Sequence, residues 1–261
     1  MCKIVTSKDN PNIKRLRKLI SSKKERLNQG LFVIEGIRSL KEAIKEHIVL
    51  SEVFFSESAY EKYQSIADEA AAADSIFVIS NELADKITDS VSTQGVFALA
   101  PVVHKDISLL DSGAKRILIL DNLQDPGNLG TILRTADAVG IDAVILCENC
   151  CELYNPKVIR STAGSVFRLN IIVCGGFEEV CKAIKNTGAE VFAAVVDRDA
   201  EHITKLDFPK RCAVVIGNEG NGIPTDHANL CDRRITVDMR GNTESLNASV
   251  AAAIILWEMT K

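Results

Sequence analysis

Three turns of this 261-residue chain carry residue types that let a backbone come close to a ligand: DNLQDPGNLG at 121–130, GNEGNGIP at 217–224 and DMRGNTE at 238–244. The second places three glycines within six positions, which permits sharp turning and close approach. It lacks the Lys and Ser/Thr pair of a phosphate-cradling loop, and its spacing is not that of a dinucleotide-binding turn. Taken alone it reads as structural. Cys147, Cys150 and Cys151 form CENCC, but a zinc or redox centre needs further ligands at suitable spacing, and no second CxxC or nearby His pair exists. No metal is expected. His47, His104, His202 and His227 are scattered, so no His-based triad is expected either. Asp197, Arg198 and Asp199 follow a strand and read as an ordinary turn, with the lining of a cofactor pocket as the alternative.

The elements that position these turns follow from apolar patterning. Residues 117–120 (ILIL) suit a buried strand, and Leu129, Ile132, Leu133, Ala136 and Val139 then recur at helical spacing, with Gly140 as a stop. Arg134 falls off that apolar stripe, at the mouth of the strand–helix turn. A unit of this kind directs a ligand to the carboxyl ends of its strands. The strands RILIL, AVILC, NIIVC, VFAAV, CAVVI and RITVD make residues 114–261 an α/β domain. Its last helix is expected from Ser245 and is apolar nearly all round from Leu246 to Trp257, so it must be covered on more than one side, most simply by another subunit.

Residues 1–100 alternate strands and helices in a smaller α/β domain, and residues 101–113 (PVVHKDISLLDSG) break the alternation as a linker. The net charge is −4, yet residues 1–45 hold twelve Lys and Arg against four acids, a surplus of eight. A basic helix is expected over residues 9–28 with Ile13, Leu16, Leu19 and Ile20 inward, and helices follow over 37–43, 59–72 and 82–87. Lys14, Arg15 and Lys18 then form either a solvated face or a face that contacts phosphates. NPKVIRSTAGSVFRL at 155–169 reads as a flexible, phosphate-friendly loop carrying Lys157 and Arg160, or as a plain surface segment. No apolar run spans a bilayer, the opening ten residues hold no apolar h-region, and eight cysteines in a chain this long suit reduced thiols, all consistent with a cytoplasmic protein.

Together NLGTILRTADAVG, VIGNEGNGIP and ITVDMRGNTESLNASVAAAI resemble motifs one, two and three of the SpoU/TrmH group of SPOUT RNA methyltransferases, in order and across residues 114–261. SKDNPNIKRLRKL and FVIEGIRSLKEAI resemble the substrate-binding domain of two-domain members that modify ribosomal RNA, a domain similar to small RNA-binding ribosomal proteins. The resemblance implies an α/β-knot, with a trefoil knot and a mostly parallel sheet, behind an N-terminal ribosomal-protein-like α/β domain. It implies a homodimer that uses S-adenosyl-L-methionine to methylate a ribose 2′-hydroxyl, in ribosomal RNA of the 23S type. Carried over motif by motif, the catalytic set is Arg134, Asn128, Glu219, Ser245 and Asn247, with Ser249 in the same polar run. The cofactor set is Ile216, Gly217, Val237, Met239, Leu246 and Asn247. RNA contacts fall to Lys14, Arg15, Lys18, Arg38, Arg134, Lys157 and Arg160. Transfer RNA as substrate, or a noncatalytic RNA-binding or ribosome-assembly factor of the same fold, are the alternatives.

Overall fold

Met1–Val103 together with Glu152–Phe167 make one unit of the chain, and His104–Cys151 with Arg168–Lys261 make the other. The computed structural model describes residues 3–87 and 94–261. In the first unit β1 (Lys3–Val5), β2 (Leu31–Glu35), β3 (Glu52–Ser56), β4 (Ser75–Ile79) and β5 (Val96–Pro101) form a sheet ordered β1-β4-β3-β5-β2. Only β5 runs against its neighbours. The helices between them are α1 (Pro11–Ser21), α2 (Lys23–Gln29), α3 (Ile37–Lys45), α4 (Glu57–Lys62), α5 (Gln64–Glu69) and α6 (Asn81–Asp85).

Ile13, Leu16 and Leu19 of α1 recur at helical spacing and enter the core with Val33, Phe54, Phe77 and Phe97. The basic stretch 9–28 is two helices, not one. Ser22 adopts extended backbone, ending α1, and its hydroxyl accepts the Glu25 N–H at 3.3 Å, starting α2. Serine competes for backbone donors in this way and so favours a helix end over a helix middle. The expected helix 59–72 likewise breaks at Tyr63.

Strands buried on both faces appear as unbroken apolar runs, and the second unit is built from them. Its elements are β6 (Arg116–Leu120), α7 (Pro126–Val139), β7 (Ala143–Leu146), β8 (Ile171–Val173), α9 (Phe177–Asn186), β9 (Glu190–Ala194), β10 (Glu201–His202), β11 (Cys212–Ile216), α10 (Thr225–Leu230), β12 (Arg233–Thr236) and α11 (Ala248–Thr260). The sheet order is β10-β12-β9-β11-β6-β7-β8, and every pairing is parallel. All carboxyl ends therefore lie along one edge. The chain leaves β6 toward β7 and leaves β11 toward β12 on the other side, so the order switches between β6 and β11. That crevice is where such sheets take ligands. The stretch read as a linker is largely ordered: Pro101 ends β5, and Ile107–Ser112 is a 3-10 helix with Leu110 buried.

α11 lies against α7 and buries Ala252, Ile255, Leu256 and Met259. It begins at Ala248, not Ser245, because Asn247 supplies the cap: its Oδ1 accepts the Ser249 N–H at 2.9 Å. Val250, Ile254 and Trp257 stand on its other side and are 47%, 38% and 63% exposed.

Between β7 and β8 the chain makes an excursion that is counted with the first unit, and it is helical where a flexible loop was expected. Asn155 caps α8 (Pro156–Thr162) by accepting the Lys157 N–H at 2.9 Å. Three polar ties fasten it. Arg26, buried, grips Glu152 with two bonds of 2.7 and 2.6 Å and donates to the Leu19 and Ile20 carbonyls at the end of α1. The Tyr154 hydroxyl meets the Val103 carbonyl, and Arg160 pairs with buried Glu35. Phe32 packs on the Tyr154 ring at 4.5 Å.

Candidate active site

The turn after β6 is built for a helix start. Asp125 caps α7 by accepting the Asn128 N–H at 2.8 Å, and Pro126 occupies the first helical position, where its missing N–H costs nothing. Asn128, in that first turn, is buried among the loops that follow the strands.

Glu219, two residues past Gly217, reaches back across the switch point. Its Oε1 accepts the Asp125 N–H at 2.8 Å and the Asn128 Nδ2 at 3.1 Å, while Oε2 accepts the Gln124 N–H at 3.1 Å. Asn128 turns its Oδ1 to the Asn247 Nδ2 at 3.0 Å. Asn247 in turn accepts the Ser249 hydroxyl at 2.7 Å. The three motifs are thus joined in one polar chain, Glu219–Asn128–Asn247, although up to 119 residues separate its partners. Partial burial pushes the Glu219 carboxyl up, but the Asp125, Asn128 and Gln124 donors outweigh it and hold the group below the usual carboxylate value. A carboxylate already accepting three N–H bonds is an anchor for the loop, not a free proton acceptor.

Asn218 braces the same crevice: its Nδ2 donates to the Asn122 carbonyl at 2.9 Å, and its Oδ1 accepts the Gly220 N–H at 3.0 Å. Gly217 serves this loop rather than open space. A Cβ there would stand 2.5 Å from the Gly222 carbonyl oxygen and the Ile223 nitrogen. Asn218 and Gly222 pair their backbones at 2.9 Å in both directions, with Gly222 at φ +66°. Ile216 is buried and accepts the Asp121 N–H at 2.9 Å.

Arg134 does not sit at the mouth of the turn. It lies eight residues past Pro126, roughly 12 Å along α7, on a solvent stripe with Gly127, Thr131 and Ala138. Its guanidinium has no hydrogen-bond or ion-pair partner among the described residues, and the buried stripe of Leu129, Ile132, Leu133 and Ala136 holds its helix in place. Ser245 is exposed in the loop before α11, where its carbonyl accepts the Thr243 hydroxyl at 3.1 Å.

A cavity of about 780 Å³ opens beside the carboxyl end of β12. Val237 and Met239 line it; Ile216, Gly217, Leu246 and Asn247 do not. Val196, Asp197 and Arg198 after β9 also line it; for Asp197 and Arg198 the sequence offers a plain turn or a pocket wall, and here they line the cavity. Apolar Val196, Val237 and Met239 beside Asp197, Arg198 and Asn242 suit a ligand with a flat apolar ring and a charged tail. A half-buried pair was also not legible: Asp121, 1% exposed, meets the His227 Nδ1 at 2.7 Å, and the His227 ring stacks on Phe177 at 4.4 Å.

The cations assigned to RNA divide into two groups. Lys14 is paired with Asp9 at 2.8 Å, and Arg15 with Glu52 at 2.6 Å and Gln29 at 2.8 Å. Arg160 is the partner of Glu35. Lys18, Arg38 and Lys157 are exposed without such partners among the described residues.

Residues 115–257 match the SpoU rRNA Methylase family, and residues 10–98 match the MRM3-like substrate binding domain. The chain is 29% identical over 98% of its length to the 23S rRNA (guanosine(2553)-2′-O)-methyltransferase RlmP of Bacillus subtilis, covering 99% of that protein. An uncharacterized tRNA/rRNA methyltransferase of Synechocystis is 30% identical over 97% of the chain and 92% of its own. Among solved structures, an AdoMet-bound rRNA methyltransferase from Sinorhizobium meliloti superposes with a TM-score of 0.88 at 26% identity, covering 99% of this chain and 97% of that one. With all three motifs joined at the carboxyl edge of a parallel sheet, the chain belongs to the SpoU family of RNA methylases.

Proposed function

We propose that this protein transfers a methyl group from S-adenosyl-L-methionine to a ribose 2′-hydroxyl of large-subunit ribosomal RNA, in the cytoplasm. The observation that carries the reading is the Glu219–Asn128–Asn247 chain, which draws three loops to the switch point at the start of the helix that carries Arg134. The cofactor supplies a methyl group already activated on a sulfonium, so the protein's task is alignment and relief of one proton. Val237, Met239 and Asp197 would hold the nucleoside and its charged tail in the cavity past β12. Gly217 keeps its loop closed, Asn218 and Glu219 brace the turn after β6, and Asn128 with Asn247 fixes the start of α11 against α7. Ser245 lies in the same loop as the cofactor's expected contacts.

Arg134 is assigned to the RNA phosphate next to the target ribose, where it steadies and polarises the hydroxyl. A guanidinium, which keeps its proton in proteins, is a poor base, and a rigid stripe on α7 suits gripping. The activity is assigned to a homodimer in which a second copy covers Val250, Ile254 and Trp257 of α11. These recur at i, i+4 and i+7 as an unpartnered apolar row.

Incubation of the protein with methyl-labelled cofactor and total RNA, followed by separation of the RNA species, tests the reading. Label in 23S RNA that falls at least a hundredfold with Arg134→Ala is expected. Label in transfer RNA alone would move the substrate class. Cofactor binding without Arg134-dependent transfer would remove the enzyme.

A further inference from the structure

The first unit holds a cleft of about 600 Å³ that the motifs do not reveal. Arg17, Lys18 and Ser21 of α1 form one wall, Lys86 closes the end of α6, and Lys157 and Arg160 of α8 form the other. Ile20, Ile87 and Pro156 are its apolar floor, and no acidic side chain lines it among the described residues. Five cations from segments up to 143 positions apart therefore converge on one hollow.

Two of the five are neutralised by neighbours outside the lining: Lys86 by Glu82 at 2.5 Å and Arg160 by Glu35. Arg17, Lys18 and Lys157 have no hydrogen-bond or ion-pair partner for their side chains among the described residues. The contrast within α1 matters. Lys14 and Arg15, on the same helix, are each held by a carboxylate of the first unit, so they are not free to bind phosphate without losing that partner. The free charge of this helix is thus concentrated on the side that faces α8. Holding like charges together costs free energy, and the ties at Glu152, Tyr154 and Arg160 are what bring the α8 cations to α1. Such an arrangement is sensible where a polyanion supplies the missing charge.

We propose that this α1–α8 cleft is the RNA-backbone site of the protein, with Arg17, Lys18 and Lys157 contacting successive phosphates and Arg160 and Lys86 at its margins. This deepens the proposed function and rests on RNA being the substrate. Arg17 and Lys86 enter the RNA set on this account, and Lys14 and Arg15 leave it.

The test is binding of the full chain to an in vitro transcribed 23S RNA fragment, followed by fluorescence anisotropy between about 50 and 200 mM salt. Each lost phosphate contact should reduce the slope of log affinity on log salt by about 0.7–0.9. Arg17→Gln/Lys157→Gln should therefore flatten the slope by about 1.4–1.8 and weaken binding about tenfold or more at the low-salt end. Charge-matched Lys45→Gln/Lys62→Gln, at exposed sites outside the cleft, should leave the slope within about 0.3 of wild type. Arg17→Lys/Lys157→Arg should restore it. Methyl transfer at limiting RNA should fall in step with the affinity of the cleft variant, as a raised KM for RNA. A cleft variant with the slope of wild type or of the control, checked as folded by circular dichroism, overturns the proposal. So does unchanged RNA binding with loss of affinity for polyglutamate, which would assign the cleft to an acidic protein segment. Because the slope is read without turnover, absent methyl transfer by the wild type would defeat the function and leave the cleft result standing.

Discussion

Replacing Glu219 by glutamine separates an anchor from a base. The carboxylate accepts the Gln124 and Asp125 N–H groups and the Asn128 amide, at 3.1, 2.8 and 3.1 Å. A glutamine oxygen can keep the two donors on the Oε1 side, which turns its NH₂ toward the Gln124 N–H. One bond is lost and two lose their charge assistance. Bonds to a charged group contribute about 1.5–3 kcal/mol and neutral ones about 0.5–1.5, so in dry surroundings the change sums to about 3.5–6 kcal/mol. Gln124 and Asp125 are exposed, so water recovers part of it and about 2 kcal/mol remains. If that energy orders the loop for the reaction, kcat/KM falls about thirtyfold. The Glu219 carboxyl is held below its ordinary value, so its contribution is complete above the free-carboxylate pKa near 4.3 and fades only as pH falls through the lower folded value. Between about pH 5 and 9 the profiles of wild type and Glu219→Gln should therefore run parallel. Methyl-transfer rates across that range are the assay. A loss of about 10³ or more together with a missing limb in the profile would refute the anchor and make Glu219 the base.

Gly217→Ala should lower stability by about 1–3 kcal/mol and weaken cofactor binding, read by thermal unfolding and calorimetry, because its Cβ meets the Gly222 and Ile223 backbone. Arg26→Met removes two bonds from the Glu152 carboxylate, 13% exposed, and the donors to the Leu19 and Ile20 carbonyls, and should cost about 3–5 kcal/mol in urea unfolding. Arg26→Met/Glu152→Leu should recover most of that loss. Trp257→Glu on the exposed row of α11 should convert a dimer to monomer in sedimentation; an unchanged dimer would place the subunit contact elsewhere.

The parallel sheet was legible because its strands are buried on both faces: Ile117–Leu120 and Cys212–Ile216 are apolar without interruption and pair in register. The edge strands β1 and β10 were not, since three and two residues carry no periodicity. The motifs located Asn128, Glu219 and Asn247, and the fold added what holds them. Asp125 follows the pattern of a capping residue before proline, so its part could have been found; the Asp121–His227 pair spans 106 residues with no local signal. Charge counting does not separate paired cations from unpaired ones. Lys14 and Arg15 look like their neighbours Arg17 and Lys18 in sequence, yet Lys14 pairs with Asp9 nearby in the chain and Arg15 with distant Glu52. The α8 segment misled by composition: its Ser, Thr and Gly content suits a loop, but Asn155, Pro156 and the ties at Glu152 and Tyr154 make it a docked helix.

On this reading the methyl group goes to a ribose hydroxyl at the site where the three loops meet. Alkaline hydrolysis of 23S RNA after incubation with the protein and methyl-labelled cofactor tests it most directly, since a 2′-O-methyl group blocks cleavage of the adjoining phosphodiester. One alkali-resistant labelled dinucleotide, absent with Arg134→Ala, is the predicted result. Label released in mononucleotides would place the methyl group on a base and contradict the account.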